Sequence, residues 1–588
     1  MVSWSLLVVP LVVLGGVWCE EYEEDLVLRP LRDGKVSSTF TFTTVLHGAD
    51  PAQHYTLFPL PLGQILREYA ITELHLSLNA GKWNYDAWGY PEHPAVPTGA
   101  ELWAWMPDGA ASTIDDRWAG LRNALAGLFC ASLGSLDHRR TSSPVQAYPL
   151  QSSHIPSAPH HLRHATLPSE HVCTENLTPF LKLLPCKSRA GLARLLNPQR
   201  LFDADWHGLG VHVLSTEGGG VEMKLVVQAV FDPVRLSGGK RRDWSFQSLF
   251  DRTINAACPV ASSSSVRVFL PEEQIFSLSP EPEPQPSDES QPRDESQPHD
   301  ESQPHDKSLA IYDVPTLVSH GPLDVAMQWT TEHAFQYPPP LSIQRTLHGT
   351  SQAHGALACT LTNRGPAPLR VGYLETLPAL VTLWAHTIRV EVGGVGRDDL
   401  LTDLIYHPSH SPSPFSSHSS SPSSSSSPQT HAHAHTHTHG PSPSLLQATL
   451  TLPPYSTLRL TAELSRAFLR YTEHPPDAMR GWDLPGAVFF PVPVPGSTDS
   501  ASSFNANHSA PTFNHSARTD STYAQTDEAH AHIHTLPYRM HTPALLADLP
   551  TPDFSMPYNV IILSCTLVTL IFGSVFNVLT RGWVVVEV

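Results

Sequence analysis

The stretch Leu446-Gln-Ala-Thr-Leu-Thr-Leu-Pro-Pro-Tyr-Ser-Thr-Leu-Arg-Leu-Thr-Ala-Glu-Leu464 alternates apolar and polar residues on either side of a proline pair. Leu446, Ala448, Leu450 and Leu452 share one face before Pro453-Pro-Tyr-Ser456, and Leu458, Leu460, Ala462 and Leu464 share one after it. A period of two marks half-buried strands, because successive side chains of an extended chain point to opposite faces. With a Pro-rich turn between them, the two runs read as a β-hairpin. The same period recurs in Val36, Ser38, Phe40, Phe42 against Ser37, Thr39, Thr41, in Leu74, Leu76, Leu78 against Glu73, His75, Ser77, and in Val221, Met223, Leu225, Val227. One helix is well marked: Ile114, Trp118, Leu121, Leu125 and Leu128 fall on one face, with Asp115 and Asp116 suited to its first turn. The expected fold is mainly β with some α.

Both ends of the chain are hydrophobic, and length tells them apart. The short apolar run at 4–18 stops at the acidic Glu20, Glu21, Glu23, Glu24 and Asp25, which reads as a signal peptide over 1–19. Val560–Leu579 has no charge over 20 residues, enough for a helix to cross a bilayer core of about 30 Å. Together they describe a type I single-pass protein with a short cytosolic tail at 580–588. A GPI-anchored precursor also ends in a hydrophobic tail, but the Pro-rich Leu549–Tyr558 spacer and the polar residues after the helix favour a retained anchor.

Composition divides what lies between. The net charge of −19 excludes a basic nucleic-acid binder, and it is concentrated. The acidic run at 20–25 contributes −5 and the stretch 281–308 a further −7, two short polar segments. The second contains Asp288-Glu-Ser-Gln-Pro-Arg and two near-copies, a six-residue repeat too polar to bury a core, so it is a linker or a loop insertion. Two further tracts, 407–444 and 497–534, are rich in Ser, Pro and His. The lumenal part is therefore expected as a mixed β/α domain over 20–278, an acidic linker at 279–308, and an antiparallel β-sandwich over 309–548 carrying the two tracts as insertions. Such insertions cost little, because loop-closure entropy grows slowly with length.

Catalytic signatures are missing. There is no G-x-S-x-G, H-E-x-x-H, C-x-x-C or phosphate-binding Gly-rich loop, and Gly218-Gly-Gly220 sits between strand-like runs as a turn. Alternating histidines at 431–439 could chelate metal weakly, yet no Cys or carboxylate completes a shell, so neither a metal nor a cofactor is expected.

Cysteines carry the sharpest signal. Setting aside Cys19 in the signal and Cys565 in the membrane helix leaves Cys130, Cys173, Cys186, Cys258 and Cys359. An odd number in an oxidising compartment means one free thiol or one bond to another chain. Cys359 suits a buried thiol, lying beside Ala356, Leu357 and Ala358. Three sequons, at Asn176, Asn507 and Asn514, fit the same compartment, and a glycan on Asn176 would put Cys173 near an exposed surface.

Val172-Cys-Thr-Glu-Asn-Leu-Thr-Pro-Phe-Leu-Lys-Leu-Leu-Pro-Cys186, with Thr98-Gly-Ala-Glu-Leu-Trp-Ala-Trp105, Gly127-Leu-Phe-Cys-Ala-Ser-Leu133 and Leu549-Pro-Thr-Pro-Asp-Phe-Ser-Met-Pro-Tyr-Asn-Val560, closely resembles the phosphatidylinositol-glycan class T (PIG-T) family. Glu73-Leu-His-Leu-Ser77, Asp243-Trp-Ser245 and Ala310-Ile-Tyr-Asp313 add to the likeness. The resemblance implies a non-catalytic subunit of the GPI transamidase of the endoplasmic reticulum membrane, which joins the new carboxyl end of a proprotein to a GPI lipid. It implies partners too: the caspase-like catalytic subunit PIG-K, PIG-S, PIG-U and a metallopeptidase-like GPI attachment subunit. It places the interchain disulfide to PIG-K on Cys173. An internal bond between Cys130 and Cys186, which flank the matching segment, is expected beside it. A type I cell-surface receptor or adhesion protein with sandwich domains is the alternative on composition alone.

Overall fold

The computed structural model describes residues 20–48, 56–152, 158–216, 219–238, 241–270, 276–282, 309–329, 340–409, 442–468, 481–492, 534–550 and 555–582. The expected signal peptide, most of the acidic repeat, the His-rich tracts, Asn507, Asn514 and the last six residues lie outside them.

Ten strands form the first sheet, in the spatial order Leu309–Asp313, Ser263–Phe269, Glu20–Pro30, Val36–Leu46, Gly220–Phe231, Trp206–Thr216, Glu73–Ala80, Gly99–Pro107, His160–Leu167 and Thr141–Ser142. All neighbours are antiparallel except Glu20–Pro30 beside Ser263–Phe269. The period-two runs read from sequence supply its inner face: Val36, Phe40, Phe42, Leu74, Leu76, Leu78, Met223, Leu225 and Val227 are all in one core. Helices Leu60–Glu68, Ile114–Phe129 and Thr174–Leu183 cover that face. The helix at Ile114–Phe129 forms where expected, with Thr113 as its cap and Trp118, Leu121 and Leu125 buried. Leu128 is only half-buried and Phe129 takes the deepest place at its end.

Three expectations change here. The acidic run, counted above as a short polar segment, is half of the strand Glu20–Pro30, with Glu21 and Glu23 exposed and Glu24 buried. Tyr22 and Glu24 point inward, and Glu24 is held there by the Tyr22 hydroxyl (2.9 Å), the Leu192 N–H (3.0 Å) and the Ser264 hydroxyl (3.3 Å). Burial pushes its carboxyl up, and these donors pull it back. Second, the domain boundary expected at 309 lies later. Leu309–Asp313 adds an edge strand to the first sheet and Ala326–Trp329 pairs with Phe276–Ser279, so the first domain continues on the far side of the acidic repeat. The physical reason is apolar: Ala310, Tyr312 and Val314 are buried in the first core. Third, Glu73, His75 and Ser77 do not face water, since the strand Glu73–Ala80 is buried on both sides.

The second domain is a β-sandwich, as expected, antiparallel except where His534–Thr535 runs parallel to Leu369–Leu377. One sheet orders Leu341–His348, His354–Asn363, Ser456–Arg466, Arg389–Val392 and Val395–Gly396, with Val381–Leu383 also on Ser456–Arg466; the other orders Leu401–His407, Ser444–Leu452, Leu369–Leu377, Val488–Pro491 and Met540–His541. The expected hairpin is therefore an arch. Ser444–Leu452 and Ser456–Arg466 never pair with each other; they lie in opposite sheets, so their leucines meet across the core. Pro453 and Pro454 donate no N–H to a hairpin ladder, and Tyr455 adopts a left-handed φ of 49°. The Asn363 amide instead takes the Pro453 and Ala367 carbonyls at 3.1 and 2.9 Å.

Both faces of the second sheet are covered. Leu374, Leu445, Val488 and Phe490 turn away from the sandwich core onto Trp103, Tyr148 and Leu162 of the first domain. A helix over Ser555–Thr580 follows, of which Asn559–Thr580 is apolar and long enough to cross a membrane.

Candidate functional site

The segment Val172–Cys186 builds an exposed thiol on a fixed support. Leu177, Phe180 and Leu183 recur at three-residue spacing and drive one face of the helix Thr174–Leu183 into the core, while Glu175 and Lys182 sit at the ends that suit their charges. Cys173 precedes the helix in extended conformation (φ −135°, ψ 177°) and is exposed. Buried Val172 on one side and buried Asn176 on the other pin it.

Asn176 joins two helix ends. Its Oδ1 accepts the Cys173 N–H at 2.6 Å, and its Nδ2 donates to the carbonyls of Phe129 (2.8 Å) and Cys130 (3.2 Å). Cys130 caps the helix Ile114–Phe129 in the left-handed region (φ 53°) and is exposed. The Asn176 amide thus joins the Cys173 N–H to a carbonyl 46 residues before Asn176 itself. Asn176, the expected glycan acceptor, is 1% exposed, and both hydrogens of its amide nitrogen have acceptors.

The remaining described cysteines ahead of the membrane-length helix are accounted for. Cys186 pairs with Cys258, Cα to Cα 5.9 Å, in place of the expected Cys130–Cys186 bond. The reason is burial: Cys186 packs against the same core cluster that holds Cys258, whereas Cys130 is exposed. Cys359 is buried between the sheets, its thiol pushed up to about 12 by burial and then by the Glu375 charge, so it is inert. Among the described residues ahead of the helix Ser555–Thr580 the exposed cysteines are Cys130 and Cys173.

A second polar cluster, missed in the sequence, fixes the two domains together. Glu101, buried on the outer face of the first sheet, accepts from the Tyr148 hydroxyl (2.7 Å) and His164 Nε2 (3.1 Å), with His541 Nε2 of the second domain at 3.7 Å. The Arg539 guanidinium lies 5.0 Å and 4.7 Å from the ring centres of Trp103 and Tyr148. Gln447 Oε1 accepts the N–H groups of Val145 and Gln146. Burial alone would raise the Glu101 carboxyl, but the His164 and His541 imidazoles outweigh it and hold the group well below its ordinary 4.5. A lowered folded value means that the stabilisation is fully present above 4.5 and is lost as pH falls through the lowered one. Glu101→Gln is expected to cost about 2 kcal/mol at neutral pH and to flatten the acid side of the melting profile. Parallel acid profiles in wild type and variant would show that this carboxylate contributes nothing. The only sequence sign was a set of charged residues at the polar positions of otherwise apolar strands.

Among the described residues no group of three or more His, Cys, Asp or Glu is arranged to hold a metal ion. What the described segment presents is an exposed thiol at the start of a helix whose other face is buried.

Comparison with known proteins extends over nearly the whole chain. The family model described as Gpi16 subunit, GPI transamidase component, matches residues 6–241 and 236–588. Human GPI-anchor transamidase component PIGT is 32% identical, covering 99% of this chain and 95% of its own length. The mouse protein of the same name is 32% identical over 99% of this chain and 94% of its own. The GPI transamidase component GPI16 of Saccharomyces cerevisiae is 26% identical, over 96% of this chain and 89% of its own. The chain carrying this clamped, exposed thiol belongs to the Gpi16 family of GPI transamidase components.

Proposed function

We propose that this chain is a non-catalytic scaffold subunit of the GPI transamidase, tied through Cys173 to the caspase-like catalytic subunit PIG-K, and that Cys-His chemistry resides in that partner. The chain acts from the lumenal side of the endoplasmic reticulum membrane, anchored by the helix that ends at Thr580, in company with PIG-S, PIG-U and the metallopeptidase-like attachment subunit. The GPI lipid and the proprotein reach it as substrates of the whole complex. Family membership displaces the receptor or adhesion reading.

One observation carries the assignment of the thiol. Cys186 and Cys258 are bonded and Cys359 is buried, which leaves Cys130 and Cys173 exposed; of these two, Cys173 starts a helix rooted in the core and lies in the segment that resembles the family. A covalent link makes the rest of the association effectively intramolecular, so a modest noncovalent interface suffices to keep the catalytic subunit in place. Cys173→Ser is expected to abolish the reducible band that joins this chain to the caspase-like subunit and to weaken co-purification, while Cys130→Ser leaves the band. Survival of the band in Cys173→Ser, on non-reducing gels of the complex in mild detergent, would overturn the assignment.

A further inference from the structure

We infer that Asn176 is a positioning residue for Cys173, and that Asn176-Leu-Thr178 serves the folded chain as a clamp and not as a glycan acceptor. The consequence for assembly rests on Cys173 being the interchain thiol; the geometry does not.

An N-linked glycan bonds to Nδ2 and needs a path to solvent. Here Nδ2 has two hydrogens and two acceptors, the carbonyls of Phe129 and Cys130, and the residue is 1% exposed. These are carbonyls at a helix end, which lack partners within their own helix. Oδ1 meanwhile takes the Cys173 N–H, a donor at the start of the next helix. One amide thus closes the end of Ile114–Phe129 and the beginning of Thr174–Leu183 at once. A chain glycosylated at Asn176 before folding could not close the clamp, because a sugar would replace one of the two donor hydrogens and occupy buried space.

The clamp bears on reactivity through direction. A disulfide tolerates a narrow range of Cα separation and Cβ direction. The Cβ of Cys173 is set by a backbone whose N–H is held by Asn176 on one side and whose carbonyl accepts the Asn176 and Leu177 N–H groups on the other. Without the side chain, the first turn is free to fray and the thiol samples directions that miss its partner. Thr178 contributes little to this arrangement, since its exposed hydroxyl only returns to the Thr174 carbonyl at 3.2 Å. It can therefore be removed without touching the clamp.

That separation supplies the test. Thr178→Ala and Asn176→Ala both destroy the sequon, but only the second opens the clamp. In the purified complex, glycopeptide mass spectrometry should find Asn176 unmodified in wild type, and Thr178→Ala should leave both electrophoretic mobility and the interchain band unchanged. Asn176→Ala should lower the interchain fraction at matched chain level and melting temperature by roughly fivefold, the population shift that one net hydrogen bond corresponds to. Asn176→Asp, which keeps the acceptor for Cys173 but loses both donors, is the second variant and should fall between wild type and Asn176→Ala. A glycan on Asn176 of the assembled subunit, or a full interchain band in both Asn176 variants, would overturn the inference. Where wild type itself gives no interchain band, the reading of Cys173 has failed instead. Positioning is then read from the maleimide labelling rate of Cys173 in a Cys130→Ser background: a rate changed in Asn176→Ala upholds the clamp, and an unchanged rate overturns it.

Discussion

Replacing Arg345 with methionine is expected to destabilise the sandwich domain by about 3–5 kcal/mol. Arg345 and Glu375 are both 0% exposed and face each other between the two sheets, Arg345 from Leu341–His348 and Glu375 from Leu369–Leu377. Two guanidinium nitrogens reach the two carboxylate oxygens, and the Tyr373 hydroxyl donates to the same group at 2.9 Å. Burial pushes the Glu375 carboxyl up, and Arg345 and Tyr373 pull it back. With methionine at 345 the carboxylate has lost its counter-charge in a place water does not reach, so the protein must either carry an unpaired charge or protonate it. Arg345 Nη1 also reaches the Pro543 carbonyl at 3.4 Å, so the segment leading toward the membrane helix loosens as well. The paired change Arg345→Met with Glu375→Leu should recover most of the loss, because well-packed apolar residues can replace a buried ion pair at little cost. Thermal melting of the detergent-solubilised chain decides it. A single variant that melts like wild type, or a double variant no better than the single, would remove the ion pair from the account of what holds the sheets together.

Breaking the Cys186–Cys258 bond is the second large effect. The two cysteines are separated by 72 residues, and releasing a loop of that length returns chain entropy to the unfolded state worth about 4 kcal/mol. The loss is also local. Cys186 lies three residues beyond the helix Thr174–Leu183, so the bond fastens the far end of the element whose near end presents Cys173. Cys258→Ala should lower the melting temperature and, at matched chain level, the yield of the interchain band. Loss of stability with a normal band would confine the bond to a folding role, and an unchanged melting temperature would show that it closes no entropically costly loop.

The unequal success of reading strands from alternation has a single physical source. Period two reports which side chains share a face, and it reported that correctly at Val36–Leu46, at Glu73–Ala80 and on both sides of Pro453. It carries no information about what lies against the other face. Glu73, His75 and Glu101 look like solvent positions by type, yet a second domain lies over Glu101 and the N–H groups of Gln151 and Ser152 satisfy Glu73. Glu20–Asp25 has the same limit: five acids in six residues give no sign that Leu192 and Ser264, far along the chain, supply the donors that let Glu24 be buried. Local sequence holds no trace of donors that distant.

By itself the sequence determined the mainly β class, the sandwich, the helix at 114–129, the membrane-length helix and the family, because each is written in local period, apolar length or long matching runs. It also singled out Cys173, through an odd number of cysteines and the matching segment around it. Tertiary structure decided pairing. It turned the run Leu446–Leu464 from a hairpin into an arch between sheets, returned 309–329 to the first domain, gave Cys186 to Cys258, and converted the sequon asparagine into the clamp beside Cys173. Those outcomes depend on which distant groups supply a buried surface, a second sulfur or a hydrogen-bond partner, and such contacts exist only once the chain has closed on itself.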